Sequence, residues 1–282
     1  MHIVVTGGAG YIGLNLIKYL DQKGHKVTVV SRRKNLNNTS STSNITHIQL
    51  DILNDNDHNI YQLLGEPDIL IHLAWEFGFI HNEITHINNA TKHIKFIENM
   101  LKGGLKHISI NGTMHEIGHF VGEVTEYTPT NPQNFYGIAK NFLRKSTEIL
   151  CKQYSATYQW LRIFYIYGDD INNNSIFTKL LQADKENKKS FDLNSGELLY
   201  DFIHINELVK QITSTVEQNS INGIINCCNG EPLSLKTMVN KFIKENNLSI
   251  KLNYNKYPIR PYDSRAIWGS NKKISLILNN NE

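Results

Sequence analysis

The chain has 282 residues, 40% of them apolar and 20% charged, with six prolines; that composition supports a substantial core and excludes a disordered or fibrous protein. Its 29 basic and 26 acidic side chains leave a net charge of +3, too small and scattered for a nucleic-acid or membrane-surface protein. No uninterrupted apolar run reaches membrane-spanning length and the sequence opens on a strand-like MHIVVTGG, so a cytoplasmic chain without a signal peptide is expected.

Short β-branched runs at 2–6, 26–31, 45–50, 68–73, 107–111 and 159–163 alternate with helical patterns at 12–23, 84–102 and 136–153. This alternation predicts βαβ units and an α/β fold with one doubly wound parallel sheet. The Asn-, Ser- and Thr-rich stretch 34–44 reads as an exposed loop. Beyond about residue 165 the pattern shortens to helices at 175–188, 206–218 and 234–246, a strand at 223–227 and an irregular tail. The expected organisation is a dinucleotide-binding unit over 1–165 and a smaller substrate lobe over 166–282, with some segments returning to the sheet. Cys151, Cys227 and Cys228 form neither an even framework nor a CxxC pair, which argues for buried thiols and against a disulfide or a metal site.

Between the first strand and the first helix stands Thr6-Gly7-Gly8-Ala9-Gly10-Tyr11-Ile12-Gly13, with Gly7, Gly10 and Gly13 at GxxGxxG spacing. Such glycines allow a tight turn, close approach of backbone N–H groups to a pyrophosphate at a helix N-terminus, and close helix-to-strand packing. The strand-before, helix-after context makes this a dinucleotide loop. An NAD-binding second strand commonly ends in an acid that accepts from the ribose 2′-hydroxyl, but here the end is Ser31-Arg32-Arg33. Two guanidinium forks and a hydroxyl suit a 2′-phosphate, so NADP(H) is the favoured cofactor and NAD(H) the second form. Asp51, after the third strand, is placed either to accept from the adenine amino group or to begin a turn.

Tyr136 and Lys140 share one helical face at i,i+4 spacing, behind Pro129 and Pro132. A neighbouring ammonium is expected to bring a phenol of pKa near 10 toward the working range of an acid–base catalyst. One further motif competes: His115-Glu116-Ile117-Gly118-His119 matches HExxH, a helical zinc motif. Glycines at 112, 118 and 122 weaken a helix there, and no metal is expected.

The stretches Thr6 to Gly13, Asp51-Ile52, His72-Leu73-Ala74, Tyr136 to Lys140, Leu161-Arg162 through Tyr167-Gly168, Asp201-Phe202-Ile203-His204 and Arg260-Pro261-Tyr262-Asp263 together resemble the extended short-chain dehydrogenases/reductases. These are the NAD-dependent epimerase/dehydratase family, and the resemblance covers essentially the whole chain. It implies a Rossmann sheet with a C-terminal substrate lobe, and Tyr136 as proton donor or acceptor. Lys140 would hold the nicotinamide ribose. Tyr11, Ile12, Ile52, Leu73 and Ala74 would lie along the cofactor.

Where the family commonly has SSxxVYG, this chain has Asn111-Gly112-Thr113-Met114-His115-Glu116-Ile117-Gly118. The resemblance puts Thr113 at the hydroxyl position, bonding the substrate carbonyl oxygen, and lets His115 and Glu116 face the substrate. The acid pair of the family's dehydratases is absent after Thr113, which argues for reduction. Arg260 matches a residue that grips a nucleotide-sugar diphosphate; Tyr200 stands where many members have arginine. The nearest likeness is to reductases of dTDP-linked 4-keto-6-deoxyhexoses in surface polysaccharide synthesis, with a homodimer as the family expectation. A nucleotide-sugar C4 epimerase with bound NAD and a non-catalytic NADP-binding regulator are the competing readings.

Overall fold

The computed structural model describes residues 1–34, 44–54, 59–168 and 174–280. Most of the predicted 34–44 loop lies outside the described residues. The first half runs β1 (His2–Thr6), α1 (Tyr11–Gln22), β2 (Lys26–Ser31), β3 (Ile45–Gln49), α2 (Ile60–Leu63), β4 (Ile69–His72), α3 (Thr85–Gly103), β5 (His107–Thr113), β6 (Gly122–Val124), α4 (Phe135–Gln153) and β7 (Thr157–Ile163). The second half adds β8 (Tyr165–Tyr167), α5 (Ile176–Lys185), β9 (Ser190–Asp192), β10 (Leu199–His204), α6 (Ile205–Val216), β11 (Gly223–Cys227), β12 (Pro232–Ser234), α7 (Leu235–Glu245), β13 (Lys251–Asn253), β14 (Ala266–Gly269) and α8 (Lys272–Asn279).

Seven strands form one sheet in the order β11-β7-β5-β4-β1-β2-β3, and every adjacent pair is parallel. Because side chains alternate along a strand, Ile3, Val5, Val27, Val29, Ile69 and Ile71 bury against α1 and α6 on one face. Val4, Val30, Leu70, Ile108 and Ile110 bury with Phe96, Met100 and Leu143 of α3 and α4 on the other. The direction of winding reverses between β1 and β4, and the crevice beyond their carboxyl ends is where open sheets of this kind bind ligands.

The last third of the chain sends β11 to the edge of this sheet. A second sheet runs β12-β10-β14-β6, with β8 paired to β10, and β9 pairs with β13. Its core gathers Phe164, Phe177, Tyr200, Phe202, Val239 and Phe242. The tail read as irregular from sequence holds β13, β14 and α8. These are short elements with distant partners: β14 pairs with β6 across more than half the chain. Asp201 ties the second sheet together, its carboxylate accepting from the backbone N–H groups of Asn229, Gly230 and Gly269 at 2.9, 2.9 and 3.1 Å.

Candidate active site

The glycine loop is built for close backbone approach. Gly7 has φ +71, and a Cβ there would lie 2.6 Å from the Ala74 nitrogen; a Cβ on Gly13 would meet the Gly7 carbonyl oxygen at 2.5 Å. Gly10 caps α1 without a side-chain hydrogen bond, and the first turn of α1 holds no acid. Its orphan N–H donors and positive helix end are thus suited to a pyrophosphate, and the residues present fit a dinucleotide. Leu73 and Ala74 flank this loop through hydrogen bonds of their N–H groups to Thr6. The Tyr11 hydroxyl packs against Gly168, and Ile12 packs against the core beside it.

The adenosine end departs from expectation. Ser31 is hydrogen-bonded to the His47 ring at 3.0 Å, and Arg32 is ion-paired with Glu76 at 2.6 Å, while Arg33 stands exposed. Of the group expected to grip a 2′-phosphate, two members are therefore already engaged. Asp51 begins a turn: Oδ1 accepts from the Leu53 N–H at 3.1 Å and Oδ2 from the Asn54 amide at 2.8 Å. Ile52 is buried in the core beside Val30 and Ile60.

At the other end, Asn134 caps α4 by accepting from the Gly137 N–H at 2.8 Å. The Tyr136 N–H donates to the His81 carbonyl. Thr113 ends β5, and its hydroxyl accepts from the His115 N–H at 3.3 Å. Lys140 Nζ donates to the Asn111 carbonyl oxygen at 2.8 Å and lies 4.0 Å from the centre of the Trp75 ring. The three residues singled out by motif are therefore assembled in one place.

Their electrostatics differ from the sequence expectation. Burial, partly offset by the nearby Thr113 hydroxyl, pushes the Tyr136 phenol up to about 12. Burial likewise pushes the Lys140 ammonium down to about 7. The ammonium faces a carbonyl oxygen and an indole, so dehydration outweighs the charge attraction that would have lowered the phenol.

A cluster of rings that single-residue motifs do not reveal surrounds Tyr136. His81 stacks on it at 5.6 Å and 16°, His86 lies at 5.2 Å and His115 at 5.9 Å, and His81 touches His115 at 4.2 Å. Burial, with smaller contributions from Arg260 and neighbouring histidines, drops His81 to about 4 and His115 to about 3. Both rings are neutral at physiological pH. A small pocket beside them is lined by Met114, His115, Asn134, Tyr165, Tyr262 and Asp263. Arg260 is exposed at its edge, 5.9 Å from the Tyr262 ring. Tyr200, at the position expected to carry arginine, packs its ring 4.2 Å from that of Tyr165.

Trp75 is fixed from behind. Its Nε1–H donates to His86 Nδ1 at 3.0 Å, which makes His86 an Nε2–H tautomer bonded to the Ile80 carbonyl. Its ring stacks on His93 at 4.7 Å, and His93, His72 and Thr6 continue as a buried hydrogen-bonded chain of 3.0 and 2.8 Å.

Glu116 is a correction: it does not face the pocket. It is fully buried and accepts from Trp160 Nε1 at 2.8 Å and Arg162 Nε at 2.9 Å, with Arg144 Nε at 3.0 Å from its other oxygen. A carboxylate between two guanidinium groups is already compensated. Residues Met114–Glu116 form one 3₁₀ turn, so the HExxH histidines do not share an α-helical face. No group of three metal-binding side chains is found among the described residues.

This crevice, with its glycine loop, phenol and lysine, belongs to an oxidoreductase of the doubly wound class. The model of the NAD dependent epimerase/dehydratase family matches residues 3–228, and the chain belongs to that family of enzymes. It is 45% identical to dTDP-6-deoxy-L-talose 4-dehydrogenase (NAD(+)) of Aggregatibacter actinomycetemcomitans, over 96% of this chain and 100% of that one. It is 26% identical to a UDP-glucose 4-epimerase of Corynebacterium glutamicum, over 85% and 78% of the two chains. Among solved structures, the UDP-glucuronic acid 4-epimerase of Bacillus cereus, in complex with UDP-glucuronic acid and NAD, superimposes with a TM-score of 0.84 at 22% identity, covering 99% and 93%. That likeness establishes the shared fold.

Proposed function

We propose that this chain is a cytoplasmic, nicotinamide-dependent reductase acting at C4 of a nucleotide-linked 4-keto-6-deoxyhexose, dTDP-linked by its likeness to the talose dehydrogenase. The reverse oxidation uses the same groups. The observation that carries this reading is the convergence of Thr113 at the end of β5 with Tyr136 and, one helical turn further on, Lys140, whose Nζ donates to the Asn111 carbonyl oxygen of the same strand. Residues 1–165 supply most of the dinucleotide side and 166–282 most of the sugar side. A homodimer through α3 and α4 is part of the same proposal.

The nicotinamide, when bound, supplies the hydride to the sugar carbon. Thr113 and Tyr136 hold the C4 oxygen between two hydroxyl donors, which stabilises charge developing there. A phenol held near 12 is protonated at neutral pH, the form that can hand its proton to that oxygen in the reducing direction. Lys140, anchored on the Asn111 carbonyl, presents a polar head to the ribose. His81 and His115, neutral, wall the sugar side. Arg260 is placed at the edge for the diphosphate, where bidentate charge-assisted bonds suit an arginine.

The test offers dTDP-4-keto-6-deoxyglucose and its C3,C5 double epimer with NADH or NADPH and follows loss of absorbance and product stereochemistry. Stoichiometric dinucleotide consumption is expected, and Tyr136→Phe should abolish it while dinucleotide affinity stays within about threefold. Interconversion of 4-hydroxy sugars without net consumption would replace the reductase reading with an epimerase. Unchanged turnover in the Tyr136→Phe enzyme would remove that residue from the chemistry.

A further inference from the structure

We propose that Glu76 sets the cofactor preference of this chain: by engaging Arg32 across the dinucleotide cleft it favours NAD(H) over NADP(H). This rests on the reading of the cleft as a nicotinamide dinucleotide site. Arg32 follows the last residue of β2, and Glu76 lies four residues beyond the last residue of β4. In the sheet, β1 stands between those strands, so the ion pair reaches over the carboxyl end of β1, where the glycine loop begins.

The acid is held from two sides. Oε1 meets Arg32 Nη1 at 2.6 Å, and Oε2 accepts from the Asn89 amide of α3 at 2.7 Å. Its side chain is 26% exposed, against 60% for Arg32. The chain turns immediately after it, with Phe77 at φ 54, a conformation an L-residue adopts at a cost and seldom without surrounding support. The carboxylate is thus the fixed partner and the guanidinium the mobile one.

A fork at the end of β2 would grip a 2′-phosphate if its charge were available. Here that charge is compensated, and a second carboxylate oxygen stands in the same space. A phosphate monoester carrying a charge of about −1.5 to −2 is repelled by it. A neutral ribose is not, and its 2′-hydroxyl can donate to the carboxylate. Strand β2 itself ends without an acid; Glu76 brings one from the loop after β4, on the far side of β1.

Equilibrium dissociation constants of NADH and NADPH, read by quenching of intrinsic tryptophan fluorescence and by calorimetry, test this without any sugar substrate. The native chain is expected to bind NADH more tightly. Glu76→Gln, nearly isosteric and still able to bond Asn89, should tighten NADPH about five- to tenfold and weaken NADH about two- to threefold, since the 2′-hydroxyl loses a charged acceptor. Arg32→Ala added to Glu76→Gln should cancel the gain, since the released guanidinium is what the phosphate would use. An unchanged NADPH-to-NADH ratio in Glu76→Gln, a gain that survives Arg32→Ala, or tighter NADPH binding by the native chain would each overturn the proposal while the dinucleotide reading stands. Binding of neither dinucleotide by the native chain would overturn both.

Discussion

The ammonium of Lys140 lies 4.0 Å above the centre of the Trp75 indole. That ring is itself clamped by a hydrogen bond to His86 and a stack on His93. A desolvated cation over an indole face gains about 2 kcal/mol, and the clamp keeps the ring from following the lysine's motion. The arrangement offsets part of the dehydration that pushes Lys140 down to about 7.

Removing the ring should therefore reach the lysine. Trp75→Leu is expected to lower kcat about tenfold with little change in sugar KM, whereas Trp75→Phe, which keeps an aromatic face, should stay within about threefold. Steady-state kinetics of the two variants decide it. Equal losses in both would show that the ring's face is not what matters to Lys140.

Glu116 is the group on which the turn after β5 is hung. Glu116→Gln leaves Arg162, fully buried, and Arg144 without their compensating charge. Breaking such a pair from one side costs about 3–5 kcal/mol, a loss that urea unfolding should register. Because Glu116 also raises the Lys140 pKa, its neutral variant should shift the lysine's titration downward in whatever protein still folds. A change below about 1 kcal/mol would contradict the burial assigned to this carboxylate.

The histidines around the site predict how stability depends on pH. His93 and His115 are held at about 3 and His81 at about 4, chiefly by burial. In the unfolded chain each binds its proton near 6.5, so between those values the unfolded state carries more protons. Stability then rises with pH through this window and is lost as pH falls from about 6.5 toward 4. Urea midpoints should fall over that interval, and His93→Asn should flatten the decline. A midpoint that holds constant from about pH 6.5 to 4.5 would contradict the burial of these rings.

Helix α4 exposes Phe135, Ile138, Phe142 and Ile149, positions three, four and seven residues apart along one side. Apolar stripes of this kind mark a surface that is covered in solution. A second copy of the chain is the expected cover. Phe142→Lys with Ile149→Lys should halve the mass measured by light scattering, and a native chain already monomeric at about micromolar concentration would remove the dimer from the proposal.

Chemistry carried by local patterns was legible in the sequence. The strand-loop-helix unit around Gly7, Gly10 and Gly13, strands β1 to β5 and β7, and the i,i+4 spacing of Tyr136 and Lys140 each depend on neighbours within one or two helical turns. Hydrophobic periodicity reports such relations directly. The hydroxyl position of Thr113 came from the resemblance, by matching its segment to the family's motif.

What the tertiary structure decided is everything that joins distant segments. The three- and four-residue strands of the second sheet carry too few alternations to be read, and β14 finds β6 only through the folded core. Glu116 reads as an acid facing the substrate until Arg144, Arg162 and Trp160, contributed by α4 and β7, converge on it. Arg32 reads from the sequence as a phosphate grip, and only folding brings Glu76 across β1 to pair with it. Tyr136 and Lys140 read as a mutually tuning pair, yet burial raises one and lowers the other. Residue types and spacing determined which groups are present; dehydration and long-range partners, which exist only after folding, determined the charge each carries and the direction it faces.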